Sequence, residues 1–285
     1  MELRKEIIEL VALYSLEPQS RDVYVEGIYD KNLIEWFLMD QRIEGIHVYP
    51  IAAINVPDEL LARYSLDAGS NRSRVIALSK ELATLLSRGC KILCVADRDN
   101  EDYLPSGHCN SYLEFTDYTS ADLYLWRKRT VQKLISLVLG GFPISANQLM
   151  ADLVRILQEV FLLRLTNVAL GWNMKWIPFE KYVYISSNIT FSFDRFRDAY
   201  LKKNSRWHQR TDFDQKLVDI RTRLQEDARR RIRGHDLMDV LYYAVKKLRA
   251  SRRFHDVETF QGAFTGCLEG EDIRDEILFK RISKL

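Results

Sequence analysis

Short β-prone runs alternate with segments of helical period over the first 130 residues, and nothing else in the chain constrains its fold as tightly. Residues 23–26, 45–54, 90–96 and 112–115 are rich in β-branched, aromatic and other apolar side chains. Between them, residues 31–39, 57–66 and 75–87 carry apolar residues three and four apart, as in Leu33, Ile34, Phe37 and Leu38. Strands separated by helices require crossover connections, which predicts an α/β fold: a parallel sheet covered by helices on both faces. Leu3, Ile7, Leu10, Val11 and Tyr14 predict a first helix over 2–16, with a turn at 18–22. Residues 120–128 close this part with a further helical run.

From about residue 131 the pattern becomes mainly helical. Helices are expected over 131–139 and 149–165, broken at Gly140-Gly141-Phe142-Pro143, and over 193–203, 214–232 and 236–249. Residues 172–189 are aromatic and β-prone, as in a hairpin. The expected division is an α/β domain over 1–130 and a mainly helical, basic region over 131–285. Residues 195–253 hold 18 Lys and Arg against 8 Asp and Glu, while the whole chain nets only +2. Such asymmetry suits a surface facing a polyanion, or else a solvated helical face. No apolar run reaches the roughly 18–20 residues of a membrane span. The N-terminal residues lack a signal-peptide apolar region, and Cys90, Cys94, Cys109 and Cys267 lack metal-type C-x-x-C spacing. A cytoplasmic protein with reduced cysteines and no membrane contact is therefore expected.

Two strand ends carry carboxylates. The run 23–30, Val-Tyr-Val-Glu-Gly-Ile-Tyr-Asp, ends its strand at Glu26, turns at Gly27 and opens a helix at Asp30. A carboxylate there sits where open α/β sheets bind ligands. Glu is a poor strand residue and costly to desolvate, so its placement needs a reason. The run 90–96, apolar apart from Lys91, leads straight into Asp97-Arg98-Asp99. Strand periodicity would put Asp97 and Asp99 on one side and Arg98 on the other. Two adjacent carboxylates repel unless a cation lies between them, and Mg²⁺ or Mn²⁺ takes oxygen ligands of this kind. Glu26, at the equivalent end of another strand, would complete the cluster. Taken alone, Asp97-Arg98-Asp99 also reads as the polar start of a loop.

A strand ending in Glu-Gly with an Asp four residues after the Glu, followed by a strand ending in Asp-x-Asp, resembles the Toprim domain. That domain is shared by topoisomerases, bacterial primases and the overcoming-lysogenization-defect nucleases. The motifs here are Val25-Glu26-Gly27-Ile28-Tyr29-Asp30 and Ala96-Asp97-Arg98-Asp99, and the resemblance covers residues 22–127. The chain lacks room for the strand-passing domains of a topoisomerase and has no zinc ribbon of the primase kind. It is more similar to the compact Toprim effectors of anti-phage systems, the phage anti-restriction-induced system among them. The resemblance implies a metal-dependent endonuclease with Glu26, Asp97 and Asp99 as catalytic residues. It places Glu26, Asp30, Asp97, Asp99 and Asp122 at the metal, with Mg²⁺ or Mn²⁺ as cofactor. The implied substrate is RNA, tRNA in particular, and the implied partners are an ABC-type ATPase and a second copy of the chain in the active state. Other readings are a DNA nuclease, a nucleotidyl transferase, and a regulatory module that docks on an ATPase without cleaving.

Residue chemistry adds further candidates. Arg229-Arg230-Arg231-Ile232-Arg233 places four arginines in five residues, read as a helix end with Gly234 as its C-cap. Phosphate contacts are the natural use of such a run. His235 would donate a proton to a leaving oxygen if it met the carboxylates. Alternatively, His235-Asp236 simply caps a helix carrying Leu237, Val240, Leu241 and Val245. Asp30 has the alternative role of an N-cap, worth about 1 kcal/mol. Asp122 has that of an ordinary helix-start acid. Residues 69–74 would contact phosphate through backbone amides and Arg72 or Arg74, although the stretch is not a P-loop, and no G-x-x-x-x-G-K-[ST] occurs in the chain. Trp172, Trp176 and Trp207 would stack bases or pack in the core.

Overall fold

The structure is a computed structural model that describes residues 4–86, 89–248 and 254–285. It opens with β1 (Lys5–Glu6), α1 (Ile7–Leu16), β2 (Arg21–Val25), α2 (Ile28–Asp40) and β3 (Ile46–Pro50). There follow β4 (Ile54–Asn55), α3 (Asp58–Arg63), α4 (Asn71–Leu85), β5 (Lys91–Ala96), β6 (Leu113–Phe115) and α5 (Lys128–Lys133). The long helix α6 (Ala146–Ala169) precedes the hairpin β7 (Val183–Ile185) and β8 (Ile189–Phe191). The chain ends with α7 (Phe193–Lys203), α8 (Arg210–Arg221), α9 (Gly234–Lys247), α10 (Val257–Thr265), α11 (Gly270–Ile273) and α12 (Ile277–Ile282).

By its contacts the chain divides into two compact units. One comprises Met1–Arg98, Ser106–Asp117 and Glu269–Leu285, the other Asp99–Pro105 and Tyr118–Leu268. The division thus falls between Asp117 and Tyr118 rather than near residue 130, and the last two helices return to the first unit. Local bonds hold them there. The backbone N–H groups of Ile277 and Leu278 donate to Asp117 at 2.9 and 3.2 Å, Arg281 pairs with Glu114, and Phe279 packs on Phe37 at 4.7 Å.

The first unit is built on a four-stranded sheet in the order β3-β2-β5-β6, with every pair parallel, and helices flank it. This is the α/β sheet expected from the alternating pattern. Asp22–Val25 of β2 and Ile92–Ala96 of β5 are buried throughout, as in central strands covered on both faces. Tyr24, Ile92, Cys94 and Ala96 join one core with Leu10 and Tyr14 of α1 and Val75, Leu78 and Leu82 of α4. Val23, Val25, Leu93 and Val95, pointing the opposite way by alternation, are equally buried. The buried Asp22 carboxylate is satisfied by the Tyr14 hydroxyl at 2.6 Å.

Local expectations shift: the strand expected over 45–54 is β3 and β4 with a 3-10 turn at Ile51–Ala53 between them, and the helical run expected over 120–128 is a 3-10 turn at Ala121–Leu125. The first helix starts at Ile7 instead of residue 2, because Lys5–Glu6 pair in parallel with Ile54–Asn55 and Glu6 accepts from the Asn55 amide. Residues 1–3 lie outside the described residues. In the stretch read as a loop before residue 75, Ser70 caps α4, so Asn71–Arg74 form its first turn.

The second unit is organised on α6, whose buried face includes Leu149, Leu153, Ile156, Leu157, Val160 and Phe161. The helix expected over 214–232 is instead α8, ending at Arg221, and a short 3-10 turn at Ala228–Arg230. Beyond its end, the Asp227 side chain accepts from the Arg229 N–H and begins the new turn. Gly234 is not a C-cap but the first residue of α9. A Cβ there would lie 2.1 Å from Ser120 Oγ and 2.7 Å from Asp122 Cβ. Arg249, the expected end of the last of these helices, lies outside the described residues. Among the described residues no helix is long and apolar enough to cross a membrane.

Candidate functional site

In the first unit the chain leaves β2 for β3 on one side and returns to β5 on the other, so strand order reverses between β2 and β5. The crevice beyond the C-terminal strand ends at such a reversal is the usual ligand site of open α/β sheets. Glu26 directly follows β2, and Asp97 directly follows β5. The two meet: Glu26 Oε1 accepts the Asp97 N–H at 2.7 Å. The first turn of α4 ties both strand ends down. The Asn71 amide donates to the Glu26 carbonyl at 3.0 Å, and Arg72 Nε donates to the Asp97 carbonyl at 2.8 Å. Arg74 donates to the Val56 and Ala68 carbonyls. Arg72 and Arg74, expected to reach phosphate, are therefore engaged with backbone carbonyls. Asp30 is the third residue of α2, which begins at Ile28 rather than Lys31, and its Oδ2 accepts the Gly27 N–H at 3.0 Å. Its capping role holds from that position instead of the N-cap.

Asp99 does not follow strand periodicity. β5 ends at Ala96, and Asp99 adopts a left-handed backbone with φ of 47°, so alternation no longer sets where its side chain points. It belongs to the second unit, where its N–H donates to the Thr119 carbonyl at 2.9 Å. Asp122 and His235 also lie in the second unit. Asp122 is buried and accepts from Gln261 Nε2 and, at 3.4 Å, from Ser120 Oγ. His235 Nδ1 stands 3.7 Å from Asp122 Oδ2, with its side chain 73% exposed against 5% for the carboxylate. Burial pushes the Asp122 carboxyl above its ordinary range, while His235 and Arg233 pull the other way. Asp122 thus sits among Ser120, Gln261 and His235.

The donor chemistry of the first unit fits a hard cation. Glu26 and Asp97 offer carboxylate oxygens at neighbouring strand ends, and Mg²⁺ commonly takes one or two carboxylates, completing its shell with water and substrate phosphate. Among the described residues, no three His, Cys, Asp or Glu side chains converge as a protein-only cage.

Within the second unit the arginine run is largely engaged. Arg229 pairs with Asp227 and lies 3.9 Å over the Tyr118 ring. Arg230 makes a bidentate pair with Asp102, whose side chain is 9% exposed, at 2.7 and 2.5 Å. Arg231 donates to the Gln225 carbonyl. Arg233 alone of the four lines a pocket of ≈ 250 Å³, together with Asp99, Asn100, Arg164, Asn167 and Trp176. Arg164 is fixed by bidentate bonds to Asp236 at 2.8 and 2.7 Å and lies 3.8 Å over the Trp176 ring. Trp172 stacks on Phe213, and Trp207 sits at the surface with Lys202 and Arg210 over its ring.

Sequence reasoning missed Arg164, Asn100 and Asn167. Arg164 carried a usable signal, as a lone cation inside the apolar run at 160–165 of α6. The two asparagines carried none. No protein-family model matches the chain, and no curated protein matches it.

Proposed function

We propose that the protein is a Toprim-like, metal-dependent phosphodiesterase that cleaves nucleic acid, with Glu26 and Asp97 as the metal-holding pair. One observation carries the reading: the two carboxylate residues meet at the C-terminal ends of adjacent parallel strands, where the strand order reverses. A bound Mg²⁺ or Mn²⁺ would supply Lewis acidity there, neutralising phosphate charge and acidifying a water. The chain's own residues do the positioning. The Asp97 N–H orients the Glu26 carboxylate, and Asn71 and Arg72 clamp the two backbones. Asp30 closes the Gly27 turn and so fixes where the chain leaves β2. In this reading Glu26 and Asp97 would hold the metal, and Glu26 would accept the proton of the attacking water.

The finer reading is an RNA nuclease, with tRNA as target, that serves as the effector of a phage-defence system under an ABC-type ATPase partner. It rests on the likeness of the Glu-Gly-x-x-Asp and Asp-x-Asp motifs to Toprim effectors, and the absence of a P-loop in the sequence agrees with a separate ATPase.

Nuclease assays of the Glu26→Gln variant test the core of this reading. The amide oxygen can still accept the Asp97 N–H, while the negative charge is removed and one acceptor oxygen becomes an NH2 donor. Cleavage is expected to fall by roughly 10²–10³-fold or more, with the melting temperature unchanged. Undiminished cleavage would overturn the assignment. Calorimetric titration with Mg²⁺ should show binding that Asp97→Asn weakens, whereas a docking module that does not cleave would show none.

A further inference from the structure

Cations across the second unit face carboxylates: Arg164, Arg197, Arg221, Arg223 and Arg230 each pair with an Asp or Glu. The connection from α7 to α8 is different. Residues 199–211 hold Lys202, Lys203, Arg206, His208 and Arg210 and no Asp or Glu. Among the described residues, Lys202, Lys203, Arg206 and His208 have no carboxylate partner. Lys175 joins them, because its N–H donates to Asn204 Oδ1 at 2.7 Å and its carbonyl accepts from the Asn204 amide at 3.0 Å. Its exposed ammonium has no carboxylate partner among the described residues either. The nearby Asp198 and Asp214 are taken up by Arg197 and Arg210. Asp212, exposed in the first turn of α8, is set against four cations. Lys202 and Lys203 lie in the last turn of α7, where cations suit the helix dipole. That accounts for two of the four and for nothing at Lys175 or Arg206.

Trp207 stands in the middle of this connection and is 39% exposed. Lys202 Nζ lies 4.6 Å over its ring and the Arg210 guanidinium 5.1 Å over it. Arg206 is held in turn by the Trp172 ring at 5.1 Å and by Gln209 Oε1 at 2.8 Å. The cations are thus placed by aromatic rings and amides, not neutralised by acids. A concentration of one charge sign at a surface suits a polyanion. An acidic protein would engage the cations and leave the indole unused. A nucleic-acid strand engages both, since its phosphates meet the cations and an unstacked base meets the ring. The Lys202 ammonium sits on a flexible stem and can turn from ring to phosphate, which frees the indole face. A duplex keeps its base faces stacked inside and offers no partner to the ring.

We propose that Lys175, Lys202, Lys203, Arg206 and Trp207 form a docking surface for single-stranded nucleic acid, with phosphates on the four cations and a base on the indole. This surface rests on the nucleic-acid reading above and deepens it, naming the form of strand recognised and the residues that grip it. All five residues belong to the second unit, apart from the metal-holding pair of the first. Binding here is therefore measured separately from cleavage, with divalent metal removed.

The test is fluorescence anisotropy of the full chain, in EDTA, with labelled oligo-U and oligo-dT of about 12 nucleotides, a duplex of equal length, and oligoglutamate. The single strands are expected to bind saturably, with Kd of roughly 1–100 μM at physiological salt. The double variant Lys202→Gln, Lys203→Gln should weaken them by roughly 5-fold or more. It should also lower the slope of log affinity against log salt by about 1.4, at about 0.7 for each lost phosphate contact. Trp207→Leu should weaken the single strands by roughly 5-fold or more, the loss of one stacked base, and leave the duplex unaffected. Should that variant fail to fold, the exposed lysine pair still decides the matter. Tighter binding of oligo-U or of oligo-dT assigns the strand as RNA or DNA. Saturable binding without any Mg²⁺-dependent cleavage would remove the nuclease reading and keep the surface. Cleavage by the natural protein, with strand affinity unchanged in both variants, would keep the reading and remove the surface. The proposal is also overturned if neither strand binds saturably, or if the duplex or oligoglutamate binds as tightly as the strands.

Discussion

The central strand ends of the first unit and the arginine segment of the second both attract notice for their charge, yet they use it in opposite ways. At the strand ends Glu26 and Asp97 are held through backbone groups, by an N–H and by carbonyls that α4 clamps. In the arginine segment, Arg229 and Arg230 face Asp227 and Asp102, and Arg231 caps a carbonyl, so the run mostly holds its own loop together. Density of charge in a sequence therefore says little about which charges meet a ligand. The position of a charge on a regular element says more, because the element's geometry dictates what surrounds it.

Six substitutions sharpen that contrast. The largest effect belongs to Glu26→Gln, with the loss of cleavage and the unchanged melting set out above. Next is Gly234→Ala, where the new methyl would meet the buried Ser120 and Asp122. About 2–3 kcal/mol of destabilisation is expected, read as a fall of about 5–10 °C in melting temperature. Arg230→Ala should cost about 1–2 kcal/mol in a denaturant titration, since it removes the bidentate pair from the nearly buried Asp102 on a site open on the arginine side. The same change at the more locally paired Arg229 should cost less than about 1 kcal/mol. Equal losses at the two arginines would break the distinction between a tethering arginine and a peripheral one.

Asp122→Asn probes the second unit through pH. Burial raises the Asp122 carboxyl, so the folded state holds its proton more tightly than the unfolded chain does. The resulting contribution is present below the ordinary carboxylate pKa and is lost as pH rises through the raised folded value. Asn lacks it, and the variant should lose less stability than the natural protein between pH 4 and pH 7. The difference should be about 1.4 kcal/mol for each unit of displacement, measured from urea midpoints at the two pH values. The smallest effect is expected at Gly270→Ala in the first unit. A Cβ there would also approach a carboxylate, Asp40 Oδ2 at 2.0 Å, but Asp40 is exposed and can swing away. A change below about 0.5 kcal/mol in thermal or chemical unfolding would mark the contrast with Gly234.

Legibility followed the strength of local periodicity. The central strands stand close to where the apolar runs put them, and α7 spans the very residues 193–203 that its spacing indicates. The hairpin of β7 and β8 was likewise visible in its β-prone residues. The helix expected through residue 232 was not, since the charge-rich residues after Arg221 carry no apolar stripe to show where it stops. The carboxylates at the ends of β2 and β5 were readable because Glu26 and Asp97 sit at fixed offsets from apolar runs. Asp99 was not, because the period of two lapses once the strand ends at Ala96.

By itself the sequence determined the α/β class, the four strands of the sheet and the two carboxylates at their ends, because hydrophobic burial at a period of two or 3.6 is a local code. Only the tertiary structure decided which strands are neighbours, so that Glu26 meets Asp97, and which arginines find internal carboxylates. It alone returned α11 and α12 to the first unit and left Arg233 facing a pocket with Trp176 and Asn100. Those outcomes depend on contacts between residues tens to more than a hundred positions apart. Their energies are set by which groups are desolvated together, and no local pattern of residues records that.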